Sequence, residues 1–190
     1  TEAELIYEAE LTAFKIRARS VKKGYEKLAL GRLIGRGTER ECFENSNNPS
    51  TCFKVSKHSL SKQTRREIKY FYYLRRKGIQ PDFLPKFYGH FSTTEYIGFE
   101  QERLKESEQC RAIFIREYIK EASLQELQAL EKQLETIKQE MIKLNVIISD
   151  MRTGNTLLLI NRSTKTISRI VFFDGFGAPE LIPLATYCPF

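Results

Sequence analysis

No Cys-x-x-Cys pair occurs anywhere in this 190-residue chain. Its four cysteines, Cys42, Cys52, Cys110 and Cys188, are widely spaced, and only His58 and His90 could join them. A structural zinc site is therefore not expected, and the thiols read as reduced, which suits the cytoplasm. No apolar run approaches roughly 20 residues, so no transmembrane helix is expected. The opening "TEAELIYEAE" is acidic and lacks the basic-then-apolar order of a signal peptide. The missing initiator Met points to a trimmed chain. What is present is ordinary for a globular protein: 41% hydrophobic and 29% charged residues. That is enough for one good core or two small lobes.

The net charge of +7 favours anionic partners: a nucleotide, a phosphorylated substrate, nucleic acid or a membrane surface. Much of the excess lies in "KVSKHSLSKQTRREIKYFYYLRRKG", residues 54–78, which a solvated helix face would explain equally well. Nucleic acid is the weaker reading. Tyr70, Phe71, Tyr72 and Tyr73 are consecutive, and on a helix they cannot all face one partner.

Residues 1–29 run from acidic (Glu2, Glu4, Glu8, Glu10) to basic (Lys15 to Lys27), an order that suits a helix dipole or an extended arm. From Leu30, "LGRLIGRGTERECFEN" and "STCFKVSK" read as strands about the turn "NSNNPS". "SKQTRREIKYFYYLRRKG" reads as a helix with Ile68, Phe71, Tyr72 and Leu74 as its buried stripe and Gly78 as its cap. "FLPKFYGHFST" and "YIGFEQER" follow as strands, then "AIFIREYI" as a buried one. Residues 123–145 form the clearest helix, opened by a Ser123–Glu126 capping box and carrying a core-facing leucine stripe. "NTLLLI" and "RIVFFDGFG" close the pattern as a hairpin, with Asp174 emerging from its second strand.

Five features now stand in order. Gly35 and Gly37 lie in a turn between strands, Lys54 on the next strand, and Glu67 on the following helix. Asp150 and Asn155 share a loop, and Asp174 follows a strand. The order is that of a protein kinase: glycine-rich loop, strand lysine, helix glutamate, catalytic Asp with Asn, and metal-binding Asp. Each residue type has a physical reason. Glycines let backbone N–H groups approach phosphate. A strand lysine neutralises phosphate charge once a glutamate aims it. Magnesium takes hard oxygen ligands such as Asp and Asn, and an aspartate can orient a hydroxyl and receive its proton.

"IGRGTERECF", "CFKVSK", "RREIKYFYYL", "LNVIISDMRTGNTLLL", "FFDGFG" and above all "LIPLATY" resemble the YrbL family, small bacterial kinase-like proteins named for the PhoP regulatory network. The likeness covers about residues 30–190. It implies an α+β, protein-kinase-like two-lobe fold with a small antiparallel β N-lobe and a truncated, mainly helical C-lobe. Residues 1–29 would be a helical extension or arm, 30–119 the N-lobe and hinge, and 120–190 the reduced C-lobe. Gly35 and Gly37 would cover the phosphates of ATP, with Lys54 contacting them and pairing with Glu67. Glu117 and Ile119 in "IREYI" would offer backbone groups to adenine. Asp150 would be catalytic, while Asn155 and Asp174 would hold Mg²⁺.

The chain also departs from the pattern. Arg40 replaces the third glycine and could contact phosphate itself. Ile148 and Ser149 replace the usual His-Arg before the catalytic Asp, and Asp174 is followed by Gly-Phe rather than Phe-Gly. Arg116 falls near the gatekeeper position. Only 16 residues follow Asp174, without an Ala-Pro-Glu segment, so for a chain that ends here docking of a protein substrate in the usual way is not expected. The expected function is an ATP- and Mg²⁺-dependent phosphotransferase acting on a small-molecule or protein hydroxyl. The alternative is a pseudokinase, a nucleotide-binding regulatory or scaffold module without turnover.

Overall fold

A computed structural model describes residues 28–177. The expected N-terminal extension therefore lies outside the described residues, save its last two positions, as does the "LIPLAT" string. The chain divides into two units, one running to Ile68 and including Lys86–Arg103, the other comprising Lys69–Pro85 and the residues from Leu104 on.

The first unit is built on five antiparallel strands: β1 (Leu30–Arg36), β2 (Glu41–Asn45), β3 (Thr51–Lys57), β4 (Phe87–Ser92) and β5 (Tyr96–Glu102). They lie in the order β1-β2-β3-β5-β4. β3 is buried along almost its whole length because it is central, paired with β2 on one side and with all of β5 on the other. The "NSNNPS" turn joins β2 to β3 and is held by Asn45, whose side-chain oxygen accepts the Asn47 N–H at 3.0 Å. The core gathers Leu28, Leu30, Phe43, Phe53, Val55 and Phe91. Each such side chain contributes roughly 1.5–3 kcal/mol on burial.

Helix α1 (Lys62–Arg76) follows β3, and the division between the units falls within it, after Ile68. Ile68, Tyr70, Phe71 and Leu74 are buried, as helical spacing requires, whereas Tyr72 is 39% exposed. The expected stripe is corrected there: Tyr72 lies outside the arc set by Phe71 and Leu74, and its ring sits 5.6 Å from the Arg75 guanidinium instead. Gly78, at φ +69°, ends the helix, and the Ile79 N–H returns to the Leu74 carbonyl at 2.9 Å.

The second unit holds an antiparallel sheet of three strands, β6 (Cys110–Phe114), β7 (Thr156–Asn161) and β8 (Ile167–Phe172), with β7 central. Helices α2 (Ile115–Glu121) and α3 (Leu124–Leu144) lie between β6 and β7 in sequence. The capping box forms: the Ser123 N–H meets Glu126 Oε2 at 2.7 Å, and the Glu126 N–H meets Ser123 Oγ at 3.3 Å. Asn145 ends α3 in the left-handed conformation, φ 51°. The leucine stripe is core-facing only in the middle. Leu130 is buried and Leu134 and Ile137 pack on the same cluster, but Leu127, Met141 and Leu144 are only half-buried and Leu124 is 74% exposed. An open apolar groove of about 920 Å³ runs along this helix.

The expected strand "AIFIREYI" is half right. β6 stops at Phe114 and the chain turns helical at Ile115. Ile115, Tyr118 and Ile119 stand at helical spacing, and the apolar run before them hid it. The expected hinge at 115–119 is therefore a helix, and the chain passes between the units after Ile68, Pro85 and Arg103. The division also places Leu104–Glu121 and Lys69–Pro85 in the second unit, unlike the 30–119 and 120–190 boundaries expected from sequence.

Candidate active site

In the first unit the polar cluster grows from register. Lys54 of β3 faces Cys42 on β2 and Phe99 on β5. Its side chain is buried, with Nζ 5.8 Å from the Phe99 ring centroid. Burial pushes the ammonium down to about 8; the Arg40 charge adds to this and the Glu67 carboxylate opposes it. Glu67 is wholly buried on α1. It receives Arg40 in a bidentate pair, Nη1 to Oε2 at 2.7 Å and Nη2 to Oε1 at 3.0 Å. Arg40, expected as a direct phosphate contact, instead spends its planar fork on this carboxylate. Glu67 thus serves two cations, where the sequence suggested Lys54 alone.

Gly35, expected in the turn, is corrected to a paired position within β1 opposite Cys42, and Gly37 begins the turn, its N–H bonded to the Arg40 carbonyl at 2.8 Å. The turn is tied to α1 a second time by Glu39. Its carboxylate oxygens accept the Gln63 and Thr64 N–H groups at 3.0 and 2.9 Å, capping the helix. Sequence reasoning missed Glu39. The available signal was that α1 has no acidic residue in its first turn, so its cap had to come from elsewhere.

In the second unit, residues 147–149 run antiparallel to 175–177. Ile148 bridges to Phe176, the Ser149 N–H and Oγ both donate to the Gly175 carbonyl at 2.7 and 2.9 Å, and the Gly177 N–H donates to the Ile147 carbonyl at 3.0 Å. The Tyr70 hydroxyl accepts the Ile147 N–H at 2.7 Å, and burial pushes this phenol up to about 12. Ile148 and Ser149 thus build the ladder where His-Arg was absent. Gly175 takes φ +79°, and a Cβ there would lie 2.5 Å from the Asp150 Cβ. Only glycine allows the approach.

That ladder brings Asp150 and Asp174 onto neighbouring segments, and Asn155 joins them. Asn155 Nδ2 donates to the Asp150 carbonyl at 3.2 Å, while its own carbonyl accepts the Phe173 N–H at 3.1 Å. Asp174 Oδ1 accepts the Gly175 N–H at 2.9 Å. The Asn155 carboxamide oxygen and the Asp174 carboxylate are hard-oxygen donors of the type Mg²⁺ takes, and among the described residues no group of three or more His, Cys, Asp or Glu gathers as a metal site. Asp150 itself is engaged. Arg152 grips both its oxygens, Nε to Oδ1 and Nη2 to Oδ2, each at 2.6 Å. That guanidinium holds the Asp150 carboxyl below its usual range. Arg152 was missed in the sequence, although it stands two residues from Asp150 in the same polar loop.

The adenine contacts expected of Glu117 and Ile119 are corrected by helix α2. The Glu117 carbonyl and Ile119 N–H are spent in its hydrogen bonds. Arg116, expected as a gatekeeper, sits on the same helix, its guanidinium 5.0 Å from the Phe114 ring centroid and 3.7 Å from Glu117.

Comparison with known proteins agrees with this architecture. The family model described as PhoP regulatory network protein YrbL matches residues 27–190. Protein YrbL of Escherichia coli (strain K12) is 23% identical over 158 residues, covering 81% of this chain and 74% of that protein. YrbL of Shigella flexneri matches equally. Among solved structures, the BubR1 kinase domain superposes with a TM-score of 0.55 at 10% identity, covering 92% of this chain and 58% of that one. Rad53 1-466 in complex with AMP-PNP gives 0.53 at 10% identity, covering 82% of this chain and 38% of that one. The chain spans well under two thirds of either kinase structure, and the likeness shows a kinase-like fold.

Proposed function

This chain belongs to the PhoP regulatory network protein YrbL family and has a protein-kinase-like fold, and from that premise we propose that it binds ATP with Mg²⁺ and transfers the γ-phosphoryl group to a hydroxyl. The observation that carries the reading is Lys54. Its ammonium is buried and pushed down to about 8 between Glu67 and Arg40, beside a glycine turn. A cation held at that cost is stabilised when a polyanion arrives. In this reading Gly35 and Gly37 leave room for phosphate oxygens, Lys54 neutralises them, and Glu67 aims the lysine. Asn155 and Asp174 hold Mg²⁺, which would neutralise the charge of the bound phosphates. Asp150 orients the acceptor hydroxyl and receives its proton as the oxygen attacks phosphorus and ADP leaves. The acceptor is a hydroxyl of a small molecule or a protein, in a regulatory setting of the kind the family description names.

A second reading, nucleotide binding without turnover, draws on two contacts. Arg152 occupies Asp150, and the glycine turn is tied to α1 through Glu39 and Arg40. One experiment separates them. Mg·ATP should raise the melting temperature of the wild-type chain and not of Lys54→Met. ATP consumption present in wild type and lost in Asp150→Asn supports transfer. Stabilisation without any consumption, unchanged in Asp150→Asn, leaves the binding module.

A further inference from the structure

Outside the roles assigned above, β2 and β3 carry two thiols on the lysine's own sheet face. Cys42 faces Lys54 and Glu44 faces Cys52 across the ladder. Directly opposed residues share a face and alternate residues repeat it, so Cys42, Cys52 and Lys54 project together. Each thiol is the group that most perturbs the other's ionisation. Cys42 is half-buried and Cys52 buried. Above Cys42 stands Gly35, which has no side chain, and even an added Cβ would lie 4.0 Å from the Cys42 Cβ.

We propose that Cys42 and Cys52 form an oxidisable dithiol site in the sheet face that carries Lys54, with Cys42 as the attacking sulfur and Cys52 as the resolving one. The oxidant is a hydroperoxide. The Cys42 thiolate attacks the terminal peroxide oxygen, the O–O bond breaks, and the alkoxide or hydroxide leaves with a proton as alcohol or water. Cys42 becomes a sulfenic acid, oxidised by two electrons. Cys52 sulfur then displaces its hydroxyl; the S–S bond forms, the S–O bond breaks, and the hydroxyl leaves with the Cys52 proton as water.

Exposure divides these roles: an oxidant reaches the half-buried Cys42 before the buried Cys52. The Cys52 thiol, then the charges of Lys54, Arg40 and Arg103, favour the Cys42 thiolate against its burial. Cys52 is pushed the other way, by Cys42 and by burial, so it stays protonated. Diagonal neighbours on paired strands sit about 7–8 Å apart at Cα, beyond the roughly 6.8 Å that a disulfide spans unless the backbone moves. Closing the bond therefore draws β2 and β3 together beside Lys54. Resting on the proposed nucleotide reading, the disulfide form should bind Mg·ATP at least tenfold more weakly.

Cys110 is the internal control, since it is half-buried like Cys42. The full chain would be treated with limiting hydrogen peroxide and mapped by mass spectrometry. The expected product is a Cys42–Cys52 disulfide, with Cys42 reacting at least tenfold faster than Cys110. In Cys52→Ser, the Cys42 sulfenic acid should persist long enough for dimedone to trap it. Equal rates at Cys42 and Cys110, or disulfides that omit this pair, would overturn the proposal. Mg·ATP affinity of the reduced and oxidised chains is then compared. Equal affinities overturn the coupling. A reduced chain that fails to bind Mg·ATP removes the nucleotide reading and the coupling with it, while the mapped disulfide still decides the thiol chemistry.

Discussion

The two units handle charge in opposite ways. In the first, Lys54, Arg40 and Glu67 are all buried, one carboxylate among two cations. In the second, the ion pair that matters is on the surface: the Asp150 side chain is 30% and that of Arg152 77% exposed. The first arrangement is part of the fold and is costly to disturb. The second is held by solvent-screened attraction and can exchange partners freely. A chain built this way has a fixed cationic cluster and an adaptable acidic loop.

The sharpest way to break the comparison is to remove one charge from each side. Glu67→Ala leaves two cations buried without a counter-charge and should cost about 3–5 kcal/mol, read as a large drop in the urea midpoint. Asp150→Ala removes a carboxylate that solvent already screens and should leave that midpoint nearly unchanged. If the two variants were equally stable, the buried cluster would not be structural.

A titration tests the same contrast. Lys54 is pushed down from 10.5 to about 8. Between those values the unfolded chain holds a proton that the folded chain has released. Stability should therefore rise with pH across that window, by about 3 kcal/mol in total, and Lys54→Met should flatten the rise. No such slope is expected from the Asp150 loop there, because its carboxyl titrates in acid.

Gly175→Ala probes the backbone that supports the second unit's loop. Strain at positive φ together with the clash on Asp150 should cost roughly 1–3 kcal/mol, seen as faster amide exchange at Ile147 and Ser149. The smallest effect belongs to Arg152→Ala. It should not move the unfolding midpoint, but the Asp150 carboxyl should titrate at higher pH, as NMR would show. An unmoved titration would mean that the ion pair does not persist in solution.

Much of this contrast could be read from the chain before folding, though unevenly. The strands of the first unit announce themselves by β-type runs and a turn rich in Asn and Pro, and local chemistry decides them. The α3 capping box is equally local. Arg40 is different. Its partner Glu67 lies 27 positions away, and only the antiparallel register and the tie of the turn to α1 bring them together. The hinge was misplaced for a related reason. The apolar run through Phe114 looks like continuous strand, and the switch to helical spacing begins inside it at Ile115. Tyr72 shows that a run of aromatics does not say which ring faces inward. That is decided by the arc the neighbours fill. The kinase-like fold, by contrast, was legible because its signature residues are spread along the whole chain in one order.

The Arg152–Asp150 pair also bears on timing. The Arg152 fork takes one lone pair on each Asp150 oxygen and leaves the others. An incoming phosphate that draws Arg152 away would, in the same event, release Asp150. Under the proposed transfer, ligand binding and the freeing of the carboxylate would then be one event.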